Sequence, residues 1–229
     1  MNNIPVITVD GPSGTGKGTV CSFLADWLGW HFLDSGALYR LLALAAQKRD
    51  LPTTDIAGLA QLAENLDIEF EVQGAGKLVK VVLDGEDATD AIRTEDCGHA
   101  ASVVAAIPEV RRALLSRQHG FHQAPGLVAD GRDMGTVVFP AADLKIFLTA
   151  SAEERAKRRH KQLKEKGISA TLRHLSADIS ARDERDSQRA VSPLKPAEDA
   201  VVIDTSEMDI ETVVGSIREL VKKTIPSVS

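Results

Sequence analysis

The chain has only two cysteines, Cys21 and Cys97, and they stand at neither metal-ligand nor redox spacing. That excludes a disulfide framework and a thiolate metal site, and it suits two structural thiols in a reducing compartment. No apolar run approaches the roughly 18 residues that a transmembrane helix needs. The opening Met1-Asn2-Asn3-Ile4 carries no basic segment or long apolar stretch, so no secretory signal is expected. Positive charge is in short supply: 27 Lys and Arg stand against 33 Asp and Glu, a net charge of −6. That balance argues against a general nucleic-acid surface and against a basic membrane-binding tail. Internal repeats and low-complexity tracts are absent. What remains is the profile of a cytoplasmic globular protein, expected to be a monomer. Its 229 residues, 43% hydrophobic and 26% charged, can bury one substantial core.

What is present begins with Gly11-Pro12-Ser13-Gly14-Thr15-Gly16-Lys17-Gly18-Thr19, which has the Gly-x-x-x-x-Gly-Lys spacing of a phosphate-binding loop. Ile4–Val9 before it is a short β-branched run of strand length. Val20, Phe23, Leu24, Trp27 and Leu28 after it fall on one face of a helix. Strand, glycine-rich turn and helix N-terminus are the context in which backbone N–H groups cradle a phosphate, with Lys17 adding a full charge. The usual loop has Ser or Thr directly after the lysine to touch Mg²⁺. Here Gly18 intervenes and the hydroxyl comes at Thr19.

The chain then alternates strand and helix. Trp30–Leu33 reads as a strand after a helix-ending Gly29, and Asp34-Ser35-Gly36 turns into a helix with Leu38, Leu41, Leu42 and Ala45 on one face. Ser35, Tyr39 and Arg40 therefore lie near a strand's C-terminal end, where open α/β sheets bind ligands. Asp34 and Ser35 also suit simple helix capping. From about 66 to 101 the pattern changes: Ile68–Val72 alternates with period two, Gly74-Ala75-Gly76 breaks it, and Lys80–Leu83 leads to a hairpin turn at Asp84-Gly85. A small antiparallel insertion of about 35 residues is expected there, below the size that usually folds alone. Pro108 suits the first position of a further helix.

Gly126–Asp133 is the second informative stretch. A short apolar strand ends in Asp130, the pattern of a metal-orienting acid beside a phosphate loop, and Arg132 and Asp133 follow. Asp143–Leu148 and Val201–Ile203 supply further strands. Ser151-x-x-Glu154 is a capping box, and Arg155, Arg158 and Arg159 crowd one face of the helix it starts. Like charges so placed repel unless an anion lies between them. Lys166-Gly167 marks a break. Arg182, Asp186 and Arg189 share a face of a later helix that Pro193 and Pro196 are expected to end. Between Ser151 and Arg189 eleven Lys and Arg stand against seven Asp and Glu, an excess of +4 in an acidic chain.

Four stretches together resemble bacterial cytidylate kinases: Asp10–Thr19, Leu33-Asp-Ser-Gly-Ala-Leu-Tyr-Arg40, Asp130-Gly-Arg-Asp-Met-Gly-Thr-Val-Val-Phe-Pro140, and the arginine-rich Ala181–Val191. The loop with Gly-Lys-Gly-Thr is common to nucleoside monophosphate kinases, whereas Asp-Ser-Gly-Ala-Leu-Tyr-Arg followed by Asp-Gly-Arg-Asp is far more specific. The resemblance implies an α/β P-loop fold in a single domain spanning 1–229. It would comprise a five-stranded parallel sheet flanked by helices, the insertion at 66–101 in the monophosphate-binding region, and a lid at about 151–170. It implies transfer of the γ-phosphoryl group of ATP to CMP or dCMP, with Mg²⁺, in pyrimidine nucleotide metabolism.

Carried over residue by residue, the resemblance has Gly11, Pro12, Ser13, Gly14, Thr15, Gly16, Lys17, Gly18 and Thr19 cradle the ATP phosphates. Arg40, Arg132 and Arg189 would hold the CMP phosphate. Ser102, Arg111 and Asp133 would read cytosine, Arg182 and Asp186 the ribose, and Tyr39 would pack near the base; Ser35 stands as a substrate-facing candidate from its place at the strand end alone. Lys17, Arg132 and the lid arginines Arg155 and Arg158 would serve catalysis, and Thr19 and Asp130 the metal. The alternatives are another small-molecule P-loop kinase, acting on UMP, another monophosphate or a phosphate-free metabolite, and a nucleotide-binding regulator without catalysis.

Overall fold

A computed structural model describes residues 4–228, apart from 75, 78, 166 and 190, and apart from the side chains of 95 and 227. Met1–Asn3, Ala75 of the Gly-Ala-Gly break, Lys166 of the Lys-Gly break and Ala190 of the arginine-rich stretch thus lie outside the described residues. The strands are β1 (Val6–Asp10), β2 (His31–Asp34), β3 (Ile68–Glu71), β4 (Lys80–Leu83), β5 (Glu86–Asp87), β6 (Leu127–Gly131), β7 (Leu144–Thr149) and β8 (Val201–Asp204). The α-helices are α1 (Lys17–Leu28), α2 (Ser35–Lys48), α3 (Ile56–Asn65), α4 (Glu95–Val104), α5 (Pro108–Gly120), α6 (Ala152–Glu165), α7 (Leu172–Ser187) and α8 (Ile210–Thr224). A five-stranded parallel sheet has the order β2-β6-β1-β7-β8, and β3-β4-β5 form a separate antiparallel sheet. All five residues of β1 are buried, as are all five of β6, which is what a parallel strand covered on both faces requires.

The chain divides into two compact units. One takes the chain up to Val6 together with Ser22–Asp130. Its core holds Leu33, Leu38, Leu41, Leu42, Leu59, Leu114 and Leu127, each inaccessible to solvent. Phe70 meets Phe32 edge-on at 6.0 Å and Phe121 at 5.6 Å, joining the antiparallel sheet to that core. The other unit takes Ile7–Cys21 and Gly131 to the C-terminus. Its core has Ile7 and Val9 of β1, Ile146 and Leu148 of β7, and Val213, Val214, Ile217 and Val221 of α8.

Side-chain caps set the helix starts. Asp34 accepts from Ala37 N, Asp55 from Gly58 N, Thr94 from Cys97 N, Thr171 from His174 N and Asp209 from Thr212 N. Gly29 closes α1 with φ of +64°, and Pro108 opens α5. Three departures from the sequence expectation have physical reasons. The antiparallel structure occupies 68–87 only; a 3₁₀ turn at Ala91–Arg93 and α4 follow, because the Thr94 cap starts a helix inside the expected insertion. α3 was not expected: Gly58 sits inside it and only Leu59 and Ala63 are buried, so its apolar stripe is short. α7 ends at Ser187, well before Pro193 and Pro196. The chain turns back through Ser192 at φ +54°, and Leu194 N bonds to the Asp186 carbonyl.

Candidate functional site

The loop between β1 and α1 is held open by its glycines. Gly11 has φ of +145°, and a Cβ there would lie 2.0 Å from the Leu148 carbonyl oxygen. Only glycine permits that approach of loop to strand. Gly14, at φ +82°, packs against the Arg155 side chain, whose Cβ would be 3.1 Å from an added methyl. The loop curls about one carbonyl: the Pro12 oxygen accepts from the Lys17 ammonium at 2.7 Å and from the Thr15 hydroxyl at 3.1 Å. Lys17 is buried although cationic, while Gly18 and Thr19 are exposed at the start of α1. Positive-φ turns, a helix N-terminus and an inward ammonium form an anion cradle, so the residues fit a polyphosphate.

Thr205 braces the loop from beyond β8. Its hydroxyl lies 3.3 Å from the Thr15 carbonyl, and Arg158 donates to both its hydroxyl and its carbonyl. Arg155 is 4% exposed and makes a two-pronged ion pair with Asp183. It also donates to the carbonyls of Ala150 and Ser13. The crowded arginines of α6 therefore do not need an external anion between them: Asp183 answers Arg155, and Glu154 lies 3.4 Å from Arg158. The capping box is half formed, with Glu154 N bonded to Ser151 Oγ but Ser151 N bonded to Ser206 Oγ.

A second cluster in the same unit is built on Asp186. Its two oxygens take Arg132 Nε and Arg189 Nη2, each at 2.5 Å. Burial alone would raise its carboxyl, but the charges of Arg132 and Arg189, with Arg182 behind them, hold it below the usual carboxylate range. Three guanidiniums around one carboxylate leave this group of four cationic, an arrangement suited to an anion. Arg189 lies past the end of α7, so the pairing with Asp186, not a continuous helix, keeps it on this face. Asp133 is buried on the turn after β6 and makes no capping bond with its side chain, although it occupies an N-cap position.

The other unit holds the remaining candidates. Ser35 donates to Gln118 at 2.8 Å, and both are buried. Arg111 lies over the Tyr39 ring at 5.7 Å and donates to the Ala105 carbonyl. Arg40 donates from Nη1 to the carbonyls of Ile92 and Thr94, and Ser102 donates to that of Gly98. Asp130, buried at the end of β6, is the register partner of Asp34. Among the described residues no three His, Cys, Asp or Glu side chains cluster as a metal site. No helix among the described residues is long and apolar enough to cross a membrane.

Sequence spacing gave no sign of Asp183, Gln118 or Thr205, which lie 28, 83 and 47 residues from the groups they hold. Asp10 could have been suspected as an acid ending a core strand. Its Oδ1 accepts from Met134 N and its Oδ2 from Gly135 N.

The family model for cytidylate kinases matches residues 7–223. The chain is 57% identical over 225 residues to the cytidylate kinase of Aeromonas hydrophila, covering 98% of this chain and 97% of that one. It is 60% identical over 214 residues to the cytidylate kinase of Stutzerimonas stutzeri, covering 93% of each. The structure of an uncharacterised protein from Eubacterium ventriosum superposes with a TM-score of 0.52 at 9% identity, over 96% of this chain and 99% of that one, a likeness of fold alone.

Proposed function

The chain belongs to the cytidylate kinase family, and from that premise we propose that it transfers the γ-phosphoryl group of ATP to CMP or dCMP, giving ADP and CDP or dCDP. The observation that carries this reading is the extent of the likeness: it takes in the phosphate loop, Asp130–Asp133 and Arg182–Arg189 in a single match. A kinase for a phosphate-free metabolite would have little use for the cationic cluster on Asp186.

In this reading Gly11–Thr19 hold the ATP phosphates, and Arg40, Arg132 and Arg189 the phosphate of CMP. Ser102, Arg111 and Asp133 read cytosine with Tyr39 and Ser35 alongside, and Arg182 and Asp186 hold the ribose. The whole chain acts as one P-loop kinase domain, monomeric and cytoplasmic, with the insertion at 66–101 on the monophosphate side and 151–170 as lid. Cytosine presents an exocyclic amino donor to the carboxylate of Asp133; uracil presents an acceptor there and leaves that carboxylate poorly matched. The acceptor phosphate needs no general base, because its second pKa near 6 leaves it largely dianionic at neutral pH. Its oxygen attacks the γ-phosphorus as the bond to the β,γ-bridging oxygen breaks. Lys17 and the arginines hold the two polyanions in line and offset charge on the transferred group. Bound Mg²⁺ would supply further charge neutralisation beside Thr19 and Asp130.

A panel of CMP, dCMP, UMP, AMP and GMP with ATP tests the assignment. CMP and dCMP should be turned over best. Equal or higher turnover of AMP would overturn it, and no CDP from ATP plus CMP would point to the regulator.

A further inference from the structure

Asp10 is the residue immediately before the phosphate loop, yet its carboxylate does not serve the loop. It is 5% exposed, and each oxygen accepts a separate backbone N–H from the turn after β6: Met134 N at 2.9 Å and Gly135 N at 2.8 Å. Those are the first two amides of the single π-helical turn Met134–Val138. An aspartate at an N-cap ordinarily bonds those amides itself. Asp133 stands at that position and does not; a strand 124 residues away supplies the cap. The same turn packs tightly on β1, where a Cβ on Gly135 would lie 2.9 Å from Thr8 Oγ1.

We propose that Asp10 is a positioning residue for the acceptor side: by capping the 134–138 turn in place of Asp133, it fixes Arg132 and Asp133 against the phosphate loop. The placement rests on the reading of Arg132 and Asp133 as acceptor-binding residues. A charge-assisted bond to each oxygen makes the tie specific to a carboxylate, since an amide can accept at only one end. The tie also works under electrostatic load. Burial pushes the Asp10 carboxyl up to about 6 and the Asp133 charge adds to this, while the Gly135 and Met134 N–H groups and Lys17 oppose the rise.

Asp10→Asn keeps the shape but sets an amide NH₂ against one backbone N–H. KM for CMP should rise about tenfold and the preference for CMP over UMP in kcat/KM should shrink by a similar factor, while KM for ATP stays within about twofold. Equal rises in both KM values with an unchanged CMP:UMP ratio would overturn the proposal and leave Asp10 a structural part of the loop. Asp133→Ala separates the two readings. If it leaves the ratio unchanged, the base-reading assignment fails; if it lowers the ratio and Asp10→Asn does not, only the Asp10 proposal fails. Should Asp10→Asn not fold, Asp10→Glu carries the test: it keeps the charge but displaces both acceptor oxygens from Met134 N and Gly135 N. The CMP:UMP ratio in kcat/KM should again shrink while KM for ATP stays within about twofold, and an unchanged ratio overturns the proposal.

Discussion

At the scale of single residues, the site depends on where a few side chains are barred from ordinary behaviour. Gly11 cannot carry a Cβ, because the Leu148 carbonyl occupies the space at 2.0 Å and φ is +145°. Gly11→Ala should therefore cost about 3 kcal/mol of stability or more, read from chemical denaturation, and should weaken ATP binding with it. A loss below about 1 kcal/mol would mean that the loop can lift off β7. Asp133 is buried and leaves its capping duty to Asp10. Asp133→Ala should erode the preference for CMP over UMP by at least about tenfold, with kcat for CMP falling less than the preference does. Comparing kcat/KM for the two substrates checks this.

At the scale of elements, the helical hairpin of α6 and α7 is tied to the phosphate loop through Arg155. Ala156, Leu163 and Leu175 form its own small core, and Arg155 joins Asp183 of α7 to the Ser13 carbonyl of the loop. Asp183→Ala leaves a buried guanidinium without its carboxylate. Removing one partner of a fully buried pair costs 3–5 kcal/mol; with Asp183 a quarter exposed, about 2 kcal/mol is expected here. KM for ATP should rise more than KM for CMP, because the loose end is at Ser13. Steady-state kinetics with each substrate varied in turn would show it, and an equal rise would deny the tie.

The helix starts were readable because caps and apolar stripes are local: Asp34 before Ser35, Ser151 before Ala152, Pro108 at the head of α5. The end of α7 was not, because no local breaker stops it. The chain leaves the helix at Gln188 to bring Arg189 onto Asp186, and the prolines come later. The antiparallel sheet was legible in its alternation, whereas α4 within the same stretch depends on the single cap of Thr94.

At the scale of the whole molecule, two buried acids give opposite pH dependences. The folded pKa of Asp10, about 6, lies above its ordinary value of 3.8, so the native state binds the proton more tightly than the unfolded chain. Stability from this group is fully present at acid pH and is lost as pH rises from about 4 to about 6. Asp186 is the reverse: its pKa is depressed, so its contribution is present above the ordinary carboxylate range and is lost as pH falls through the folded value. Denaturation without nucleotide should show the wild type gaining on Asp10→Asn by about 2 kcal/mol between pH 7 and pH 4.5. A constant gap across that range would place the Asp10 pKa near its ordinary value.

By itself the sequence determined the five core strands, the phosphate loop with its Gly18 insertion, and the family, because these depend on local composition and on spacing within single segments. It also brought Ser35, Tyr39, Arg40, Arg132 and Asp133 to strand ends, whereas Ser102 and Arg111 came only from the family resemblance. Only the tertiary structure decided what each charge is answered by. Asp183 takes Arg155, Asp186 gathers Arg132 and Arg189, and Asp10 caps a turn 124 residues away. The reason is physical. Burying a charge is tolerated only when a partner meets it, and in a parallel sheet the partners come from segments that the crossover connections bring together from far apart in the chain.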